Sequence, residues 1–411
     1  MTEDLRLPHR HLRTINIFLF FAGIAPWIAS AEEPALNPVR PDEVLGVSVS
    51  ESAKYDSNVF RLANESYTAA TSEAGQRHDF VSITTLRAAL DKRFGRHRLI
   101  IFAAPSIVRY QTFDQFDYIG QQFVTDWSGR IGNDGRYGAS YSHTKSATDP
   151  ADQQVATGNT ATRDMLGADL ALPFAPRWLA VTAWRADKIR NSSETERTGD
   201  NDGGWIDGGI RFQPASGNKI DLRYRRSHYN YPNIIPSVVS DNTYTQNEVE
   251  LSTVWQLSEP SRLEGRVSYV QREHENIPER DFSGWVGSVG YIWTPTEATR
   301  LALRVFRDLG AVSDASASYA DTYGISLVPN WALSPKLALG GIAESRRRSY
   351  NGFTLTPRAP ERTDRIGVTV RYMATRNWEF GFSMSDERRR TSDTARQYSD
   401  VISSLSAQWK M

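Results

Sequence analysis

Between Arg362 and Arg390 the chain alternates polar and apolar residues with a period of two. Ile366, Val368, Val370 and Tyr372 are interleaved with Arg365, Gly367, Thr369 and Arg371. After the polar link Ala374 to Asn377, Trp378, Phe380, Phe382 and Met384 are interleaved with Glu379, Gly381, Ser383 and Ser385. Successive side chains of an extended strand point to opposite faces, so the stretch predicts a long antiparallel hairpin. One of its faces is apolar and aromatic, the other polar. A half-buried sheet in water and a transmembrane barrel with a wet lumen both produce this pattern. Strand length separates them, because a tilted strand needs about 9 to 11 residues to cross a bilayer whereas soluble strands cluster near 5 or 6. Both arms sustain their alternation beyond the soluble mode, which favours the barrel.

The same hairpin recurs at a spacing of about 40 residues, with strands beginning near Leu99, Tyr137, Trp178, Ile220, Leu263, Leu301, Leu337 and Trp378. The links before them are compact and turn-like in composition: Phe94 to His97, Asn133 to Gly135, Pro173 to Arg177, Pro214 to Asn218, Ser258 to Ser261, Thr294 to Ala298, Ala332 to Pro335 and Ala374 to Asn377. The links at the opposite strand ends are longer and polar: Ser57 to Arg77, Ala147 to Thr160, Asn191 to Asp202, Tyr231 to Asp241 and Tyr350 to Glu361. Short turns at one rim and long loops at the other are the periplasmic and extracellular ends of an outer-membrane barrel. With a first strand in Glu43 to Tyr55 and a closing strand in Asp400 to Met411, the expectation is an all-β, antiparallel, up-and-down transmembrane barrel of about 18 strands. Trp178, Trp255, Trp293, Trp331, Trp378 and Trp409 lie beside the short turns or the C-terminus, where an interfacial aromatic belt belongs. A soluble propeller shares the repeat length but needs four short strands per blade, and this chain shows two long ones.

The first residues read differently. Arg6, Arg10 and Arg13 precede an apolar run from Ile15 to Ile28 and the small-residue site Ala29-Ser30-Ala31. That is the pattern of a cleaved Sec signal peptide over 1–31, followed by a proline-containing periplasmic leader over 32–42 and the barrel over 43–411. No later apolar stretch approaches the roughly 18 residues of a membrane helix. Cysteine is absent, so disulfides are excluded in an exported chain. Lys and Arg number 48, as do Asp and Glu, and this zero net charge argues against nucleic acid as a partner.

Candidate chemistry is sparse. The histidines form no zinc-binding spacing, and no serine sits in a nucleophile elbow. Glu273-His274-Glu275 and Ser142-His143 fall at strand ends, where polar residues are expected. Gly199 to Asp207 is acidic but lacks the closing glutamate of an EF-type calcium loop and reads as a glycine-rich loop tip. No enzyme active site, cofactor or metal is therefore expected. What remains is the polar face. Parity places Arg223, Arg225, Arg266, Arg304, Arg346, Arg348, Arg365 and Arg371 on it, with Asp221, Glu264, Asp308, Glu344 and Glu379. Either these groups neutralise one another in ion-pair ladders along the wall, or the arginines form a path that binds carboxylates or sulfates of an acidic glycan through two-pronged hydrogen bonds.

The signal, the strand count and the early motif Tyr55, Asp56, Asn58, Val59, Phe60 and Arg61 resemble the beta-barrel porin type 2 group. Within that group the chain is most similar to the EpsL-like outer-membrane proteins of exopolysaccharide operons associated with exosortase B and PEP-CTERM systems. The resemblance implies a part in the export or assembly of extracellular polysaccharide. Outer-membrane lipid, an acidic polysaccharide and periplasmic export components are the implied partners. It carries no catalytic residues. A barrel enzyme acting on lipid or glycan, and a passive structural barrel, are the alternatives.

Overall fold

A computed structural model describes residues 44–63, 76–149, 151, 158–237, 240–311, 319–352 and 358–411. The expected signal peptide and leader lie outside these residues. The described chain forms one closed antiparallel barrel of eighteen strands. In chain order these are β1 (Leu45–Asp56), β2 (Asp79–Phe94), β3 (His97–Ala103 continued by Ser106–Tyr110), β4 (Tyr118–Ile131), β5 (Gly135–Ala147) and β6 (Thr160–Ala175). Next come β7 (Trp178–Asn191), β8 (Asn201–Phe212), β9 (Lys219–Asn230), β10 (Thr243–Ser258), β11 (Ser261–His274) and β12 (Phe282–Thr296). The last are β13 (Thr299–Ala311), β14 (Tyr319–Ser334), β15 (Leu337–Asn351), β16 (Glu361–Met373), β17 (Trp378–Thr391) and β18 (Tyr398–Lys410).

Each strand pairs with its neighbours in sequence, and β18 returns to β1 in a register running from Ser48 opposite Lys410 to Asp56 opposite Ile402. Closure leaves no open sheet edge. In β3 the ladder is interrupted at Ala104 and Pro105, because proline has no N–H to donate, yet the register against β2 and β4 is the same on both sides of the break. All eight predicted turns are present, and the strands after them begin within two residues of the expected positions.

Burial is inverted relative to a water-soluble protein. Leu86, Trp127, Ile210, Val249, Val289, Val305, Ile325, Val368, Phe382 and Leu405 are exposed on the outer surface, while Asp207, Glu248, Glu250, Arg272, Glu361 and Arg389 are buried. Such an outer face is stable only in hydrocarbon. Trp178, Trp293, Trp331 and Trp378 project outward beside the short turns, joined by Trp127, and Trp285 projects outward higher on β12. Trp255 and Trp409 are half-buried.

Candidate functional site

The inner wall carries two charged clusters. The first spans β8 to β13 and follows from register, since Asp207 lies opposite Arg225, Asp221 opposite Arg211, Arg223 opposite Glu250 and Arg225 opposite Glu248. At its centre the wholly buried Asp207 carboxylate accepts from Arg223 at 3.1 Å and from Arg225 at 3.1 Å. Asp221 receives Arg211 in a two-pronged bond of 2.7 Å on each oxygen, with Arg223 at 3.4 Å. Arg225 also lies 3.7 Å from Glu248 and 3.9 Å from Glu250, and its guanidinium sits 4.5 Å above the ring of Trp205. Arg266 carries the network on to Asp308 at 3.0 Å and to Glu250 at 3.9 Å.

The second cluster lies at the loop-bearing rim, on β14 to β18. Glu361 accepts from Arg358 at 2.8 Å and Arg396 at 3.1 Å, with Arg389 at 3.6 Å. Arg346 bonds Glu344 at 2.8 Å and lies 4.0 Å from Glu387, which also accepts the Tyr398 hydroxyl at 2.6 Å. Arg365 is opposite both Glu344 and Glu387, and Arg348 is opposite Glu361. Arg346, Arg348, Arg389 and Tyr398 line a small polar pocket closed by Asp149 and Ala151, which come from the loop between β5 and β6. Arg389 donates to the Ala151 carbonyl at 2.5 Å, which ties Ala151 to the inner wall.

Six of the eight predicted arginines thus fall into the two clusters. The other two make different contacts. Arg304 lies 5.1 Å above the ring of Phe306. Arg371 sits near the short-turn rim with its side chain 55% exposed and 3.9 Å from Glu379, which is held more closely by Lys410 at 2.6 Å. Glu264 pairs with Arg262 at 2.7 Å instead of with the predicted set.

Asp207 and Trp205 correct the loop-tip reading of Gly199 to Asp207, because residues from Asn201 onward belong to β8. The glycines serve packing there: the ring of Tyr229 occupies the space over Gly203, where an added Cβ would lie 2.3 Å from it. The alternation of Trp205 and Asp207 with Ile206 and Ile210 is the signal that would have found this strand. Ser142 and His143 point to opposite faces, and His143 lies 2.8 Å from Asp164, so they form no catalytic pair. His274 packs beside Tyr244 and lies 3.4 Å from Asp281.

The Tyr55 to Arg61 motif is a clasp on the barrel seam. Asp56 accepts from Arg61 at 2.9 Å and from the Asn58 N–H at 3.1 Å, while Arg61 also reaches Asp400 of β18 at 3.2 Å. Asn58 donates to the Ser399 carbonyl at 3.1 Å, adding a second tie across the seam. Burial alone would lower the pKa of Arg61, but Asp56 and Asp400 hold it well above its ordinary value. Arg61 adopts a left-handed backbone, φ 55°, which turns the chain so that Val59 and Phe60 bury against Phe113. Tyr55 points outward against Phe80, with ring centroids 5.1 Å apart.

No protein-family model and no curated protein sequence matches the chain. Solved structures do match. OccK2 (OpdF) of Pseudomonas aeruginosa aligns with 89% of this chain and 98% of its own at 10% identity, TM-score 0.50. The outer-membrane protein OpdK of the same organism aligns with 89% and 99% at 8% identity, TM-score 0.50. OccK9 (OpdG), also of Pseudomonas aeruginosa, aligns with 89% and 98% at 9% identity, TM-score 0.50. At these identities the likeness is one of fold: this chain has the closed β-barrel architecture of those outer-membrane porins.

Proposed function

We propose that the barrel is a conduit for acidic glycan chains, taking part in the export or assembly of extracellular polysaccharide. The observation that carries the conduit is the inner wall, where Arg223, Arg225 and Arg266 are held in fixed positions by Asp207, Asp221 and Asp308. Arginines oriented by carboxylates in this way retain N–H groups for a passing anion, and the fork geometry suits glycan carboxylates. The glycan itself rests on the resemblance of the seam motif to EpsL-like proteins. Arg371, exposed near the turn rim, is a fitting first contact for a chain arriving from the periplasm.

A second reading is uptake of small carboxylates, supported by the neighbour OpdK, whose structure was also solved with vanillate. A barrel in which Asp207→Asn, Glu248→Gln, Arg223→Gln and Arg225→Gln are combined with Arg371→Gln loses wall charge while Asp221 keeps Arg211, Glu250 keeps Arg266 and Glu379 keeps Lys410. In planar bilayers it should lose anion preference, and in a deletion strain it should restore less secreted acidic polysaccharide than the unaltered chain. Unchanged selectivity together with normal secretion would sink the conduit. Normal secretion with impaired uptake of aromatic carboxylates would replace it with the second reading.

A further inference from the structure

The outer face carries a second set of arginines that the conduit does not use. Arg347 of β15 lies directly opposite Arg362 of β16, which in turn lies directly opposite Arg390 of β17. The row continues on the other side, where Tyr323 of β14 lies opposite Arg347 and Arg307 of β13 lies opposite Tyr323. All point outward, on the same face as Val368 and Met384. With strands about 4.8 Å apart, three guanidinium stems stand within roughly 10 Å of one another. Like charges directly opposite are destabilising, so the row carries a repulsive cost that its neighbours must offset.

Nearby carboxylates answer only part of this charge. Asp364 lies 2.9 Å from Arg362 and 3.7 Å from Arg390, Asp386 lies 2.8 Å from Arg388, and Asp321 takes Arg307 at 2.7 Å. Arg347 has no ion pair among the described residues. Five arginines against three aspartates leave a net charge of two on this face. Arg362 is ten residues above Tyr372 on β16, about 25 Å along the membrane normal at a rise of about 3.3 Å and a tilt of about 40°. That height is the upper edge of the apolar band, where lipid headgroups of the outer leaflet sit.

We propose that this face binds the phosphorylated headgroup of an outer-leaflet glycolipid, the lipid A portion of lipopolysaccharide. Its phosphates are taken by Arg347, Arg362 and Arg390, and its acyl chains lie along Ile366, Val368 and Met384. Guanidinium forks match phosphate oxygens, and a lipid delivers that phosphate at the height of the row with its tails against the apolar band below. A soluble anion has no use for that band.

The test uses the full-length barrel extracted in a neutral detergent, titrated with diphosphoryl lipid A and followed by native mass spectrometry. The variant Arg347→Gln/Arg362→Gln/Arg390→Gln should bind diphosphoryl lipid A at least about tenfold more weakly while keeping the heat-modifiable gel mobility of a folded barrel. The single variant Arg347→Gln, which breaks no ion pair, should show a smaller loss in the same direction and serves if the triple variant fails to fold. In the unaltered chain, inorganic pyrophosphate in large excess should not displace the lipid. Unchanged lipid A binding in the folded variants would overturn the proposal, and so would displacement by pyrophosphate at lipid-like concentrations.

Discussion

Arg225 and Arg362 occupy comparable places, each on a strand flanked by two others, yet their neighbours differ in sign. Arg225 has Asp207 directly opposite on one side and Glu248 on the other, with the Trp205 ring beneath its guanidinium. Arg362 has Arg347 on one side and Arg390 on the other. The inner wall completes its electrostatics within the chain, because charges enclosed by protein are costly without a partner. The outer face at headgroup height leaves its charge unfinished, which is tolerable only where water or a ligand screens it. A cross-strand arginine therefore has a different meaning on each side of the same wall.

The comparison breaks first if the inner cluster tolerates loss of a carboxylate. Asp207→Ala leaves Arg223 and Arg225, two residues apart on the same face of β9, without their central partner, and should cost about 3 to 5 kcal/mol, read from urea unfolding of the refolded barrel. A loss below about 1 kcal/mol would mean that the cluster is solvated like a surface pair. The next effect separates the faces themselves. Val368→Arg places a guanidinium on the lipid face near the hydrocarbon midplane and should cost about 2 to 4 kcal/mol on folding into bilayers, whereas Thr369→Arg on the inner face should be tolerated. Equal behaviour of the two would contradict the observed facing. The smallest effect sharpens the contrast: Arg347→Gln, measured by the same unfolding assay in neutral detergent, should change stability by no more than about 0.5 kcal/mol, and a gain would show that the arginine row is strained when no anion is present.

The parts of this molecule that were legible in the sequence are those governed by local rules. Period-two alternation in Arg362 to Arg390 assigned facing correctly, since consecutive Cβ atoms of a strand must point to opposite sides. Compact links such as Pro214 to Asn218 and Ala374 to Asn377 marked every short turn, because their residues supply the backbone conformations that tight turns need. The strand between Asn201 and Phe212 was obscured for a local reason too: its glycines are turn formers in sequence, and only the ring of Tyr229 lying on Gly203 explains them within a sheet.

Parity says which face a side chain occupies but not what stands opposite. That depends on register, which in this barrel is set by turn length and by irregularities such as those at Gln256/Ser258 and Ala332/Ser334. Hence parity could assign the eight arginines a face, while the gathering of six of them into two clusters, the central position of Asp207 and the tie of Arg389 to the Ala151 carbonyl were decided by tertiary structure. The row of Arg347, Arg362 and Arg390 is the same case on the outer face. Their spacing along the chain has no periodic meaning, and they meet only because two successive hairpins pair in the register that closes the barrel.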